Sequence, residues 1–113
     1  MNFNLHNKTF ASLINSTNGE VCSDTLFNYY QDGLNIWADY AGGSINRGSL
    51  IGKFVSENEL EFNYQHINQN GELKAGFCKT VITLHKSGKL KLSESWQWFT
   101  GDHSSGHSVL IEQ

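Results

Sequence analysis

KLKLSESWQWF, residues 89–99, alternates without a break. Leu90, Leu92, Glu94, Trp96 and Trp98 fall on one side, and Lys89, Lys91, Ser93, Ser95 and Gln97 fall on the other. This period of two predicts a half-buried β-strand. Its apolar face carries two tryptophans and one carboxylate, and a carboxylate is expensive to bury unless something inside answers it.

Working outward, residues 59–67 repeat the pattern. Leu60, Phe62, Tyr64 and His66 face one way, so an ionisable group again ends an apolar stripe. Residues 34–41 place Leu34, Ile36, Ala38 and Tyr40 on one face and Asn35, Trp37 and Asp39 on the other. They pair through the hairpin signal Asp32-Gly33 with residues 25–31, TLFNYYQ, whose own faces are ambiguous and also satisfy a helical turn. Gly42-Gly43 turns the chain into residues 44–54, where Gly48 and Gly52 predict bulges or close backbone contacts. Residues 72–85 switch apolar phase from Leu73, Ala75 and Phe77 to Ile82 and Leu84, which predicts a bulge between positions 76 and 80. Residues 8–15, with Phe10, Ser12 and Ile14 on one side, and residues 107–111, with Val109 and Ile111 alternating, complete eight strands. Residues 1–7 read as a frayed lead-in.

Short turns join these strands, and no convincing helix interrupts them. A flat meander would leave two bare edges, so the last strand is expected to close onto the first. The predicted architecture is all-β, an up-and-down antiparallel barrel of about eight strands, similar to lipocalins and avidin (calycin-like). Such a barrel is either filled by its own side chains or just wide enough for one small ligand.

Composition agrees with this class. The chain has 113 residues, one domain's worth, with 11 Gly, 14 aromatics and no Pro. Eight Lys and Arg against 11 Asp and Glu give a scattered net charge of −3, which argues against nucleic acid or an anionic membrane as partner. The N-terminal residues lack the basic and apolar regions of a secretory leader, and no run approaches a membrane span, so a cytoplasmic protein is expected. Cys22 and Cys78 have no CxxC spacing and are expected as reduced thiols.

The inward stripes collect Tyr40, Tyr64, His66, Glu94, Trp96 and Trp98. An aromatic lining with a few fixed polar groups is what a small-molecule pocket requires, and the same list also describes an ordinary core. In the pocket reading, Glu94 and His66 are close enough across a narrow barrel for a charge-assisted hydrogen bond. That pair could also serve as acid and base in a small enzyme. No nucleophile, metal set or phosphate loop accompanies it, so no cofactor is expected. Asp102, His103 and His107 lie in a polar segment and lack a fourth ligand, which favours a solvated loop over a metal site. The outward Trp37 leaves room for a protein-interaction surface or a homodimer. Residues 40–54 resemble the hairpin of a MORN repeat, but a single copy is explained by the same turn requirements.

Four blocks, FNYYQDG, YAGGSINRGSLIG, YQHINQNGELKAGFCKT and ESWQWFTGDHSSGHSVLIE, together resemble a family of short bacterial proteins. The family is frequent in Bacteroidetes, and its members are uncharacterised or carry the automatic label N-acetylglutamate synthase. The likeness spans about residues 8–112, with residues 94–108 the most distinctive. It assigns no catalytic residues. N-acetylglutamate synthases resemble acetyltransferases with an α/β core and a glycine-rich turn for a pyrophosphate, and this sequence offers neither.

Overall fold

The computed structural model describes residues 3–113 as eight antiparallel strands: β1 (Lys8–Asn15), β2 (Leu26–Asp32), β3 (Asn35–Gly42), β4 (Ile45–Phe54), β5 (Glu59–Asn68), β6 (Leu73–Leu84), β7 (Leu90–Trp98) and β8 (Ser105–Glu112). Each strand pairs with the next and β8 pairs with β1, so the sheet closes into a barrel with no free edge. Lys8 Nζ meets Glu112 Oε2 at 3.2 Å across the closing seam.

Strand phase follows the alternation on β3, β5 and β7, although Leu34, expected on the inner face with Ile36, Ala38 and Tyr40, falls in the turn before β3 and is exposed. On β7, Leu90, Leu92, Glu94, Trp96 and Trp98 are all buried; on β5, so are Leu60, Phe62 and His66, with Tyr64 half-buried. The ambiguous segment before the first hairpin is a strand, with Phe27 and Tyr29 inward and Leu26 outward. Its turn runs through Gly33, whose φ of 62° suits a tight hairpin.

Four further expectations are corrected. The bulge predicted within β6 is absent, because β6 keeps one unbroken register with both neighbours. Its inward residues are Gly76, Cys78, Thr80 and Ile82, and the apolar Leu73 and Phe77 lie on the outer side. In β1 a register shift between Ser12 and Ile14 turns Ile14 out to solvent, although Phe10 and Ser12 are buried. In β8 the buried positions are Ser108 and Leu110, not Val109 and Ile111. Of the two readings for Gly48 and Gly52, close contact is the one realised: a Cβ on Gly48 would sit 2.5 Å from the Tyr40 ring, and one on Gly52 2.4 Å from Phe62 Cβ. The register shifts of β3 and β4 fall instead between Tyr40 and Gly42 and between Ile45 and Arg47. Among residues 3–7, Leu5 is fully buried, and its backbone N–H donates to the Gln31 side chain at 2.9 Å.

The interior divides along the barrel axis. At one end Leu5, Phe10, Ile36, Leu60, Ile82, Leu92 and Leu110 close a floor in which none is more than 1% exposed. The opposite end is aromatic and polar, and the segment between β1 and β2 lies across it.

Candidate functional site

Register places the large rings of the upper barrel. Across β3, β4 and β5, Tyr40 is level with Gly48 and His66; across β5, β6 and β7, Tyr64 is level with Gly76 and Trp98; across β6, β7 and β8, Cys78 is level with Trp96 and Gly106. Each glycine makes room for a ring. A Cβ on Gly76 would fall 2.3 Å from the Tyr64 hydroxyl, and one on Gly106 would fall 2.5 Å from the Trp96 ring. The rings form a chain: Phe27 stacks on Tyr40 at 4.7 Å, Tyr40 meets His66 edge-on at 5.7 Å, and His66 meets Trp98 at 5.7 Å. Trp98 in turn touches Tyr64 and Trp96, each at 5.6 Å.

These side chains surround a cavity of about 40 Å³. All six residues expected from the sequence, Tyr40, Tyr64, His66, Glu94, Trp96 and Trp98, line it. One water needs roughly 10–15 Å³ on this scale, so the space holds a few heavy atoms.

The expected Glu94–His66 hydrogen bond does not form, because both imidazole nitrogens are engaged elsewhere. Nδ1 lies 2.9 Å from the Tyr40 hydroxyl and Nε2 lies 2.7 Å from Glu20 Oε1. An ionised carboxylate only accepts, so Nε2 carries the proton toward Glu20. Glu20 Oε2 also accepts from Asn68 Nδ2 at 3.1 Å, and its backbone carbonyl accepts from the Ser44 hydroxyl at 2.9 Å. Asn18 fixes the same segment: its carbonyl accepts from Trp98 Nε1 at 3.3 Å, and its Nδ2 donates to the Ser105 carbonyl at 2.9 Å. The β1–β2 segment is thus fastened over the aromatic end by polar contacts on three sides.

Glu94 sits deeper, level with Thr80 on β6 and Ser108 on β8. Its Oε1 accepts from the Ser108 hydroxyl at 2.9 Å, whereas its Oε2 is buried with no partner. Burial pushes the carboxyl up to about 7, outweighing the Ser108 hydrogen bond, which pulls the other way. Burial also raises Tyr29, Tyr40, Tyr64 and Cys78, and the charge of Glu94 adds to each. The Tyr29 and Tyr64 hydroxyls and Asn15 Oδ1 are buried without partners as well. Cys22 is exposed on the β1–β2 segment and Cys78 is buried in the barrel wall, both as free thiols. Asp102, His103 and His107 are exposed; Asp102 accepts from the Ser104 N–H at 2.9 Å, and His107 Nδ1 lies 3.3 Å from the Ser95 hydroxyl.

Sequence reasoning missed Glu20, Ser108 and Phe27. Ser108 could have been found by carrying the β7–β8 register across from Glu94. Glu20 gave no signal, because its partner lies 46 residues away and its segment has no periodicity.

A closed eight-stranded barrel with an aromatic, partly polar cavity under one end defines the class of small-ligand β-barrels. Residues 3–113 match the family model described as avidin-like protein, and the chain belongs to that avidin-like family. No curated protein and no solved structure matches it.

Proposed function

We propose that this barrel binds a small molecule against Trp96, Trp98, Tyr64 and Tyr40, with Glu94 fixing the ligand's polar end. His66 acts at one remove, holding Glu20 and with it the segment over the mouth. The observation that carries this reading is Glu94 Oε2, a buried carboxylate oxygen with no protein partner on a residue that lines the cavity. Buried polar atoms are nearly always satisfied, so an orphan on a residue that lines a cavity marks where a further group belongs. Membership of the avidin-like family supports the same reading. An acid–base role would rest on Glu94 alone, since His66 is bonded to Tyr40 and Glu20.

The three tryptophans provide the test. Trp96 and Trp98 line the cavity, while Trp37 lies outside, stacked on Tyr30 at 6.0 Å. In a fragment screen followed by the indole N–H resonances, a ligand is expected to shift Trp96 and Trp98 and leave Trp37 in place. Glu94→Gln should weaken that binding more than it weakens folding. Shifts confined to Trp37, or no shift from any fragment in the folded protein, would contradict a binding cavity.

A further inference from the structure

The cavity has an imbalance of charge. Its lining holds two carboxylates, Glu20 and Glu94, one imidazole, and no Lys or Arg. Glu20 is answered by His66 and Asn68, but Glu94 has only a serine hydroxyl. An ionised carboxylate in a dry site needs a counter-charge, and none of the lining residues supplies one.

Hydrogen bonding is unbalanced in the same sense. Three buried polar atoms of the lining lack partners: Asn15 Oδ1, the Tyr64 hydroxyl oxygen and Glu94 Oε2. All three can accept a hydrogen bond. The amide oxygen and an ionised carboxylate oxygen can do nothing else, and the Asn15 orientation is fixed because its Nδ2 donates to the Val21 carbonyl. A ligand that meets the amide and carboxylate oxygens does so as a hydrogen-bond donor.

The walls favour a cation too. Aromatic faces carry negative quadrupole charge and attract ammonium and guanidinium groups, most strongly for Trp and when desolvated. Trp98 already attracts one at the rim, where Lys74 Nζ stands 5.9 Å from its ring centroid. Resting on the small-molecule reading above, we propose that the cavity is an aromatic cage for the head group of a small organic monocation, an amidinium, guanidinium or primary ammonium, paired with Glu94. The volume of about 40 Å³ suits such a head group, and the remainder of a larger ligand would leave beneath the β1–β2 segment.

Binding a cation favours the ionised carboxylate, so affinity should rise with pH through the range where Glu94 loses its proton. The other titratable groups around this space are Tyr29 from β2, Tyr40 from β3, Tyr64 and His66 from β5, Cys78 from β6 and Glu20 from the overlying segment. Replacing Glu94 separates its contribution from theirs.

Methylguanidinium and its neutral near-isostere N-methylurea are the probes, titrated against the full chain with the Trp96 and Trp98 resonances and calorimetry as readouts. At about pH 8 the cation is expected to bind roughly tenfold more tightly than the urea, and the preference should shrink toward one near pH 5 and in Glu94→Gln at both pH values. Ser108→Ala, which keeps the carboxylate and removes its one hydrogen bond, should move the midpoint of the pH dependence upward. Equal affinity of the two probes at about pH 8 overturns the cation cage and leaves the small-molecule reading intact. A preference that survives in Glu94→Gln overturns the assigned counter-ion. If neither probe perturbs Trp96 or Trp98, the cation cage falls, while the wider reading is decided by the fragment screen.

Discussion

The two ends of this barrel are built from the same eight strands and follow opposite rules. At the floor, Leu60, Ile82, Leu92 and Leu110 are at most 1% exposed, and no side chain there is charged. Two residues further along the inward face of β7, Glu94 takes the place of another leucine, and the space above it is framed by rings seated over Gly48, Gly76 and Gly106. The aliphatic floor residues carry no polar side-chain group to satisfy, whereas Glu94, Tyr64 and Asn15 at the mouth each keep a buried polar atom without a protein partner, as does Tyr29, which packs edge-on against Phe10. Proteins that keep such arrangements give up stability for function, and here three of the four such atoms found among the described residues belong to the cavity lining.

Removing floor packing should have the largest effect. Leu92→Ala is expected to cost about 3–5 kcal/mol in denaturant unfolding, because the fully buried side chain leaves a cavity with little room to collapse. The surviving fold should keep the Trp96 and Trp98 signals in place, and a variant that loses both together would show that floor and mouth are one unit. At the mouth, Gly106→Ala puts a methyl 2.5 Å from the Trp96 ring. A cost of about 1–3 kcal/mol is expected, with a changed tryptophan emission as the ring is forced into the cavity. Glu20→Ala removes the contacts to His66 and Asn68 and should cost about 1 kcal/mol. Its clearer signature is faster amide hydrogen exchange in residues 17–25, with β5 and β7 unchanged. Trp37→Ala, on the outer face, should alter stability by less than about 0.5 kcal/mol and leave ligand binding untouched.

How much could be read beforehand depended on where the pattern was clean. β3, β5 and β7 alternate without interruption, so their inward residues were readable, and all six expected lining residues come from these three strands. β6 misled because its inward side is small, with Gly76, Cys78 and Thr80 opposite Trp98, Trp96 and Glu94, while Phe77 faces outward. Hydrophobicity therefore marked the wrong face, since the space inside was already occupied by rings from β7. In β1 the shift at Ser12 and Ile14 reversed the phase in mid-strand, which alternation cannot anticipate. The anchoring of Leu5 and the reach of Glu20 to His66 come from aperiodic segments acting over long separations, and only the closed barrel brings them together. The pairing expected between Glu94 and His66 failed for the same reason, because Glu20 had already taken the imidazole.

The stability of the protein against pH, compared with that of Glu94→Gln, tests most directly whether the mouth holds a carboxylate that the fold does not need. Glu94 titrates near 7 when folded and near 4.5 when not, so between these values the native state keeps a proton that the unfolded chain releases, and stability falls as pH rises. Relative to Glu94→Gln, the natural chain should lose up to about 3 kcal/mol between about pH 4 and about pH 8, with no further divergence above. Parallel curves for the two proteins across that range would contradict the account, for they would mean that the carboxylate is already satisfied and waits for nothing.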